Sequence, residues 1–152
     1  MPEPGPIVCV GAHMQGLFMH VERIPLEGES VRGWGYREPW DGGKVANVAV
    51  AASRLGAPTR LVTLVGTDER SDRWLARFGS EGVDTSWTGR AAGPMDVGPA
   101  LLPPSRIPVV IAVTDLGERI DAPFVEERAA AFADASVVAC ALESPVGGVA
   151  AA

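Results

Sequence analysis

Short apolar runs alternate with amphipathic segments along much of the chain. Residues 7–11 and 60–65 are continuous apolar stretches that end at or just before a glycine, and residues 136–142 form a third such run. This pattern is typical of strands that are buried on both faces of a parallel sheet. Between the runs, apolar positions recur at helical spacing over residues 44–55 and again around Trp74. The pattern therefore predicts an α/β fold built on a parallel sheet.

Other stretches predict smaller and more exposed pieces. Residues 17–21 and 30–36 have β-like patterns interrupted by proline and glycine. They predict exposed antiparallel strands outside the parallel sheet. Residues 89–104 are rich in glycine and proline and predict a loop. Residues 109–120 predict a β-hairpin, and the alanine- and glutamate-rich residues 124–133 predict a helix.

Size and charge narrow the classes of function. The chain has 152 residues, which fits one domain, and its 13 Lys+Arg against 19 Asp+Glu give a net charge of -6. An acidic chain without a basic cluster is not expected to bind nucleic acid. No apolar run reaches the roughly 18 residues that a membrane span needs, and no signal peptide is evident at the start. We therefore expect a cytoplasmic protein with no membrane partner, in which Cys9 and Cys140 are buried free thiols.

Motifs for common cofactors and metals are missing from the sequence. It contains no P-loop, no G-x-G-x-x-G, no H-E-x-x-H and no C-x-x-C. Its two histidines, His13 and His20, lie seven residues apart and match no metal-ligand motif, so no metal site is expected. His13 follows the first predicted strand, where it could act as an acid or base or serve as a hydrogen-bonded rim residue.

Seven short motifs follow the first predicted strand in a recognisable order. The chain resembles the ribokinase (PfkB) family of carbohydrate kinases in the strand ending at Gly11 and in the segments 24–31, 42–51, 54–57, 65–68, 81–85, 115–119 and 142–145. The most specific segment reads Gly-Gly-Lys-Val-Ala-Asn and opens an alanine-rich helix at Gly42. The resemblance runs along the whole chain but covers the amino-terminal half of a family member.

The resemblance implies a particular architecture. It implies an α/β, ribokinase-like three-layer fold with a truncated parallel sheet and a small antiparallel β lid. Residues 1–152 would form a single half-domain, with lid segments at about 15–40 and 107–121. In the family the lid covers the sugar and can pair with its twin, so a homodimer through the lid strands or through the exposed sheet is expected.

The resemblance also implies a site. Carried over position by position, Gly42, Gly43, Lys44 and Asn47 would line a pocket for a sugar, nucleoside or similar polyol. Glu143, at the carboxyl end of a strand, would accept a hydrogen bond from a hydroxyl of that substrate. Ligands of open α/β sheets do collect at strand carboxyl ends.

Two departures from the family pattern limit the expected activity. The family's Asn-x-Asp after the first strand is replaced here by Met14-Gln15-Gly16, and no Gly-Asp dipeptide carries a catalytic aspartate. Full-length family members use ATP and Mg²⁺, whereas no cofactor is expected for this chain alone. Without a base and an anion hole, we do not expect the chain to be a competent kinase by itself.

Two alternatives remain open at this stage. The half-fold could serve as an isomerase, cyclase or lyase on a small hydroxylated metabolite, with His13, Asp41 and Glu143 as candidate acid/base residues. It could instead be a non-catalytic dimeric interaction module. Asp41 could equally be a residue that favours the start of the helix through the macrodipole.

Overall fold

A computed structural model describes residues 5–152. Its elements in chain order are β1 (Ile7–Val10), β2 (Gln15–Val21), β3 (Gly33–Arg37), α1 (Gly43–Arg54), β4 (Thr59–Val62), β5 (Leu64–Val65), α2 (Glu69–Ser80), β6 (Val83–Asp84), β7 (Gly89–Arg90), β8 (Val97–Leu102), β9 (Val109–Val110), α3 (Ala122–Glu126), β10 (Val137–Cys140) and α4 (Val146–Ala151). Short 3₁₀ helices occupy Gly117–Arg119 and Ala129–Ala131.

The central sheet is parallel and has the strand order β10-β1-β4-β6. In it Ile7 is in register with Thr59 on one side and with Val137 on the other. The predicted strand over 60–65 is divided at Thr63, whose hydroxyl donates a 2.7 Å hydrogen bond to the Gly11 carbonyl. Beyond Thr63, β5 leaves the central sheet and pairs with β7.

Helices cover both faces of this sheet, because successive side chains of a strand point to opposite sides. Cys9 packs toward α1 and α2 in a core with Val45, Leu61 and Phe78. On the opposite face of the sheet, Val8, Val10 and Val62 pack against the segment that contains α3 and α4. The expected three-layer α/β arrangement is confirmed.

Two helices have ends that the local sequence explains. α1 reaches its C-cap at Leu55, and Gly56 follows in the left-handed region at φ +89°, as glycine after a helix commonly does. α2 begins after Asp68, whose carboxylate accepts a hydrogen bond from the Ser71 amide. The helix predicted over 124–133 is shorter, since α3 ends at Glu126.

The lid is a second four-stranded sheet with the order β3-β2-β8-β9. β2 pairs antiparallel with β3 and β8 pairs antiparallel with β9, but β2 and β8 are parallel. The loop predicted over 89–104 is therefore wrong, because β8 satisfies its backbone through β2, far away in sequence. The hairpin predicted over 109–120 is also wrong: β9 returns along β8, and the chain then enters the 3₁₀ helix.

β10 differs from its prediction as a buried strand. It lies at the end of the sheet and bonds only to β1 among the described residues, so Val137 is 53% exposed and Cys140 is exposed. The buried thiol expected at Cys140 is therefore wrong, whereas Cys9 is buried and burial raises its pKa to about 11. Both thiols are free. None of the helices within residues 5–152 is long and apolar enough to cross a membrane.

Candidate functional site

The start of α1 and the end of β10 meet at one point of the surface. Gly43, the first residue of α1, has φ +78°, a backbone conformation that favours glycine. The next side chain, Lys44, reaches Glu143, which lies three residues beyond β10, with an Nζ–Oε1 distance of 2.8 Å. The structure thus brings together two of the residues that the sequence placed in a substrate pocket.

The remaining residues of the Gly-Gly-Lys segment bond to each other. The Gly42 amide donates to Asn47 Oδ1 at 3.2 Å, and the Gly43 amide donates to Asp41 Oδ1 at 3.3 Å. Asn47 Nδ2 in turn donates to Asp41 Oδ1 at 2.8 Å. Asp41 and Asn47 also border a separate cavity of about 310 Å³ beside Trp40. The expected site residues therefore fall into two groups, one around Glu143 and one around Asp41.

His13 is buried behind the start of α1. Its Nδ1 lies 2.8 Å from the Gly42 carbonyl oxygen, and its ring packs edge-on against Trp74 and Phe78. Since a carbonyl only accepts, Nδ1 carries the proton, and Nε2 has no hydrogen-bond partner within residues 5–152. Burial lowers the pKa of His13 to about 4, although its bond to Gly42 opposes this shift. His13 is therefore neutral at pH 7 and fixes the Gly42 peptide.

A cavity of about 420 Å³, here called the Glu143 cavity, opens beside the Lys44–Glu143 pair. This volume is typical of small-molecule sites. Of the three acid/base candidates, Glu143 lines it and His13 and Asp41 do not. Its wall is made of Met14, Ala112, Thr114, Glu118, Leu142, Glu143, Ser144, Pro145 and Val146.

Sequence reasoning did not identify the groups that complete this wall from other parts of the chain. Glu118 and Thr114 are held there by Asp96, a buried residue whose carboxylate accepts from the amides of Leu116 at 3.0 Å and Gly117 at 2.8 Å. Burial raises the pKa of Asp96, and the two amide bonds act in the opposite direction. No local pattern links Asp96 to a segment 20 residues later, so the sequence offered no signal for this contact.

The Glu143 cavity carries more negative than positive side-chain charge. Within residues 5–152, no three His, Cys, Asp or Glu side chains are grouped so that they could hold a metal ion. The cavity carries two carboxylates, those of Glu118 and Glu143, and Lys44 pairs with Glu143. A bare triphosphate would meet net negative charge at this position.

The chain matches the pfkB family carbohydrate kinases over residues 6–95. A ribokinase of Haemophilus influenzae is 28% identical over 135 residues, covering 86% of this chain and 44% of that protein. A ribokinase structure from Giardia lamblia has a TM-score of 0.81 at 20% identity, covering 94% of this chain and 43% of that one. A ribokinase of Arabidopsis thaliana, solved with ribose and ATP, has a TM-score of 0.74 at 22% identity and covers 97% and 50%.

This chain thus spans half or less of the length of each of these three relatives. The structural likeness, at identities of 20–22%, establishes the ribokinase-like fold. The family match extends over more than half of the 152 residues. The chain therefore belongs to the pfkB family of carbohydrate kinases.

Proposed function

We propose that this chain binds a small polyhydroxylated molecule (a sugar, nucleoside or similar polyol) in the Glu143 cavity. The observation that carries the proposal is the Lys44–Glu143 pair, which sets a donor and an acceptor 2.8 Å apart beyond the carboxyl end of β10. Open α/β sheets bind their ligands at such strand ends. The names of the relatives are consistent with this, since each of the three described above is a ribokinase.

Each residue of the proposed site has a distinct role. The Glu143 carboxylate accepts a hydrogen bond from a ligand hydroxyl, and the Lys44 ammonium donates one. The Gly42 amide bonds to Asn47, and Gly43 and Asn47 both donate to Asp41. These bonds fix the first turn of α1, from which Lys44 projects toward Glu143. A side chain that is already oriented loses less entropy when the ligand binds.

We further propose that this chain by itself binds its ligand without transferring a phosphoryl group. Such transfer needs a base for the hydroxyl proton and donors around the moving phosphoryl group. No Gly-Asp dipeptide in the sequence can supply that base in the family's manner. The negative charge of the Glu143 cavity also disfavours a bound phosphate.

A thermal-shift panel of sugars, nucleosides and adenine nucleotides tests the proposal. Because a ligand that binds only the folded state raises Tm, we expect a polyol to raise Tm and ATP to leave it unchanged. Glu143→Gln and Lys44→Met should each weaken polyol binding about tenfold, as expected for loss of one hydrogen bond to a charged group.

The control is Glu29→Gln, which breaks the exposed Arg23–Glu29 pair, neither residue of which lines the cavity. It should leave polyol binding unchanged. Equal polyol affinity in the wild type and in both Glu143→Gln and Lys44→Met would contradict the assignment of the site, and a panel without any stabilising polyol would contradict the function.

A second proposal concerns the lid, which we propose to be a surface for association with another copy of this chain. Large apolar side chains are exposed on the lid strands and on the segments beside them, where solvent contact is unfavourable. They include Trp34 at 49%, Tyr36 at 58%, Val110 at 56% and Ile111 at 57% exposed. The sheet-edge strand β10 is the alternative surface, with Val137 at 53%.

A further inference from the structure

A second cavity, here called the Trp40 cavity, lies between α1 and α2 and shares no lining residue with the Glu143 cavity. Its volume of about 310 Å³ is at the lower end of the range for small-molecule sites. Both helices contribute side chains to its wall, including Val50, Arg54, Trp74 and Arg77. The polyol proposed above contacts none of these four side chains, so the Trp40 cavity is a separate place where a ligand can bind.

Trp40 gives this cavity a flat apolar surface. Its ring meets the ring of the buried Trp74 nearly at right angles, with centroids 4.9 Å apart and an interplanar angle of 82°. Trp74 is itself fixed, because its indole N–H donates a 2.8 Å hydrogen bond to Gln15 Oε1. Trp40 nevertheless stays 55% exposed, so much of its ring is open to solvent. A ligand ring placed there would gain aromatic contact and remove this surface from water.

One end of the cavity carries two guanidinium groups and one carboxylate. Arg54 Nε and Nη2 donate to the two carboxylate oxygens of Glu81, each at 2.7 Å, and Arg77 Nη2 pairs with Glu81 Oε1. A guanidinium has five N–H donors, and Nη1 of both arginines makes no hydrogen bond among the described residues. Two positive charges therefore face one negative charge, and the remaining donors suit a ligand carboxylate.

The other end of the cavity carries the Asp41 carboxylate. Asp41 Oδ1 accepts two hydrogen bonds from the first turn of α1, whereas Oδ2 accepts none from the described residues. Asn47, which bonds to Asp41, precedes Arg54 by seven residues, so roughly 10 Å of helix separates the two ends. The Trp40 ring borders both ends, since Asp41 is the next residue and the Arg77 guanidinium carbon lies 5.6 Å from the ring centroid. The cavity thus has opposite charges at its ends and an aromatic wall beside them.

We propose that the Trp40 cavity binds a small aromatic zwitterion, a flat ring with an ammonium group at one end and a carboxylate at the other. Its ammonium group donates to Asp41 Oδ2, and its ring packs on Trp40. Its carboxylate accepts hydrogen bonds from Arg54 and Arg77. A ligand with only one of the two charged groups makes only one of these polar contacts, so it binds more weakly. This inference does not depend on the polyol proposed for the Glu143 cavity.

Isothermal titration calorimetry with para-(aminomethyl)benzoate, benzylamine and benzoate tests the proposal. We expect the zwitterion to bind the wild-type chain about tenfold more tightly than either singly charged probe. Asp41→Asn keeps an acceptor for the bonds to α1 and removes the negative charge, so it should weaken the zwitterion and benzylamine about tenfold but not benzoate. Arg54→Gln leaves Glu81 paired with Arg77 alone, so it should weaken the zwitterion and benzoate about tenfold but not benzylamine.

Arg90→Gln is the matched control, because it breaks the exposed pair between Arg90 and Asp72 of α2, and neither residue lines the Trp40 cavity. This variant should bind all three probes as the wild type does. Equal affinities of the wild type for the three probes, a preference for the zwitterion that Asp41→Asn and Arg54→Gln both leave intact, or no binding of any probe would each overturn the proposal. None of these results bears on polyol binding, which has its own test.

Trp40→Leu tests the ring contact directly. Leucine keeps an apolar side chain beside Trp74 at a position that is 55% exposed, so the fold should be retained and Tm should stay close to that of the wild type. All three probes carry the ring, and each should bind at least about tenfold more weakly to this variant. Wild-type affinities for Trp40→Leu would place the probes elsewhere on the molecule and overturn the assignment of the site.

Discussion

His13 shows how a single buried residue shapes the start of α1. It is 2% exposed, it donates to the Gly42 carbonyl, and its ring packs against Trp74 and Phe78. A protonated ring in this place would bury a charge without a partner for Nε2. The folded protein therefore keeps His13 neutral, and its stability becomes linked to pH.

The pKa of His13 is about 4 in the folded chain, against 6.5 for an unperturbed histidine. Above pH 6.5 neither the folded nor the unfolded state binds the proton, and between pH 6.5 and 4 only the unfolded chain does. The free energy of unfolding should thus fall by up to about 3 kcal/mol as the pH drops through this window. Urea denaturation of the wild type and of His13→Asn, which keeps a donor but cannot titrate, measures the effect.

His20→Asn provides the comparison, because His20 is exposed on β2. This variant should show the same loss of stability toward pH 4 as the wild type, whereas His13→Asn should show a smaller one. Parallel pH profiles for the wild type and His13→Asn would show that His13 is not the titrating group.

The sequence predicted some site residues and not others, for a physical reason. Lys44 and Glu143 were predicted because each belongs to a short motif that can be read locally. The partner of His13, the Gly42 carbonyl, lies 29 residues away. The bonds of Asp96 likewise reach a segment about 20 residues later, and no periodicity or composition encodes which distant backbone group a side chain will meet.

At the scale of elements, prediction succeeded where the pattern itself specifies the structure. The helical spacing over residues 44–55 and around Trp74 is a local signal, and α1 and α2 follow it. β8 was missed because Gly98 and Pro99 suggest a loop, whereas its pairing depends on β2. β10 has the apolar composition of a central strand, and composition does not show which strand lies at the edge of a sheet.

Helix α4 offers a matched pair of glycines. A Cβ atom on Gly148 would overlap the Ile120 carbonyl oxygen, whereas one on Gly147 would lie 3.9 Å from Ala122 Cβ. Gly148→Ala should therefore lower the free energy of unfolding by about 1–3 kcal/mol through overpacking. Gly147→Ala should leave it unchanged or raise it by up to about 1 kcal/mol, because alanine favours helix.

Both values come from urea titrations of the two variants beside the wild type. A wild-type stability for Gly148→Ala would mean that α4 does not pack against Ile120 as closely as described. A lower stability of Gly147→Ala than of the wild type would mean that residue 147 packs against other atoms, although Gly147 is exposed in the structure.

At the scale of the whole molecule, the lid and the α/β layers differ in how they bury apolar side chains. The layers enclose Val8, Val10 and Phe78 completely. The lid strands and the segments beside them leave large aromatic and branched side chains exposed, including those of Trp34, Tyr36 and Val110. If the lid of a second copy of the chain covered these side chains, it would remove from water the apolar area that a monomer leaves exposed.

Sedimentation velocity at tens of micromolar tests this association. We expect the wild type to sediment as a dimer and Ile111→Glu as a monomer, since a charge in an apolar interface is unfavourable. Leu55→Glu adds the same charge at the C-cap of α1, at a position that is 88% exposed, and should remain a dimer. A monomeric wild type would contradict the proposal, and a monomer produced by Val137→Lys but not by Ile111→Glu would move the interface to β10.

The parallel pairing of β2 with β8 also determines when the lid can form. Gln15 and its partner Val97 lie about 80 positions apart, and α1, β4, α2 and β6 of the α/β layers lie between them. Contacts between distant segments form slowly, because a long loop must close first. During synthesis β2 leaves the ribosome well before its neighbour exists. The lid is therefore assembled late, after much of the layer beneath it has been translated.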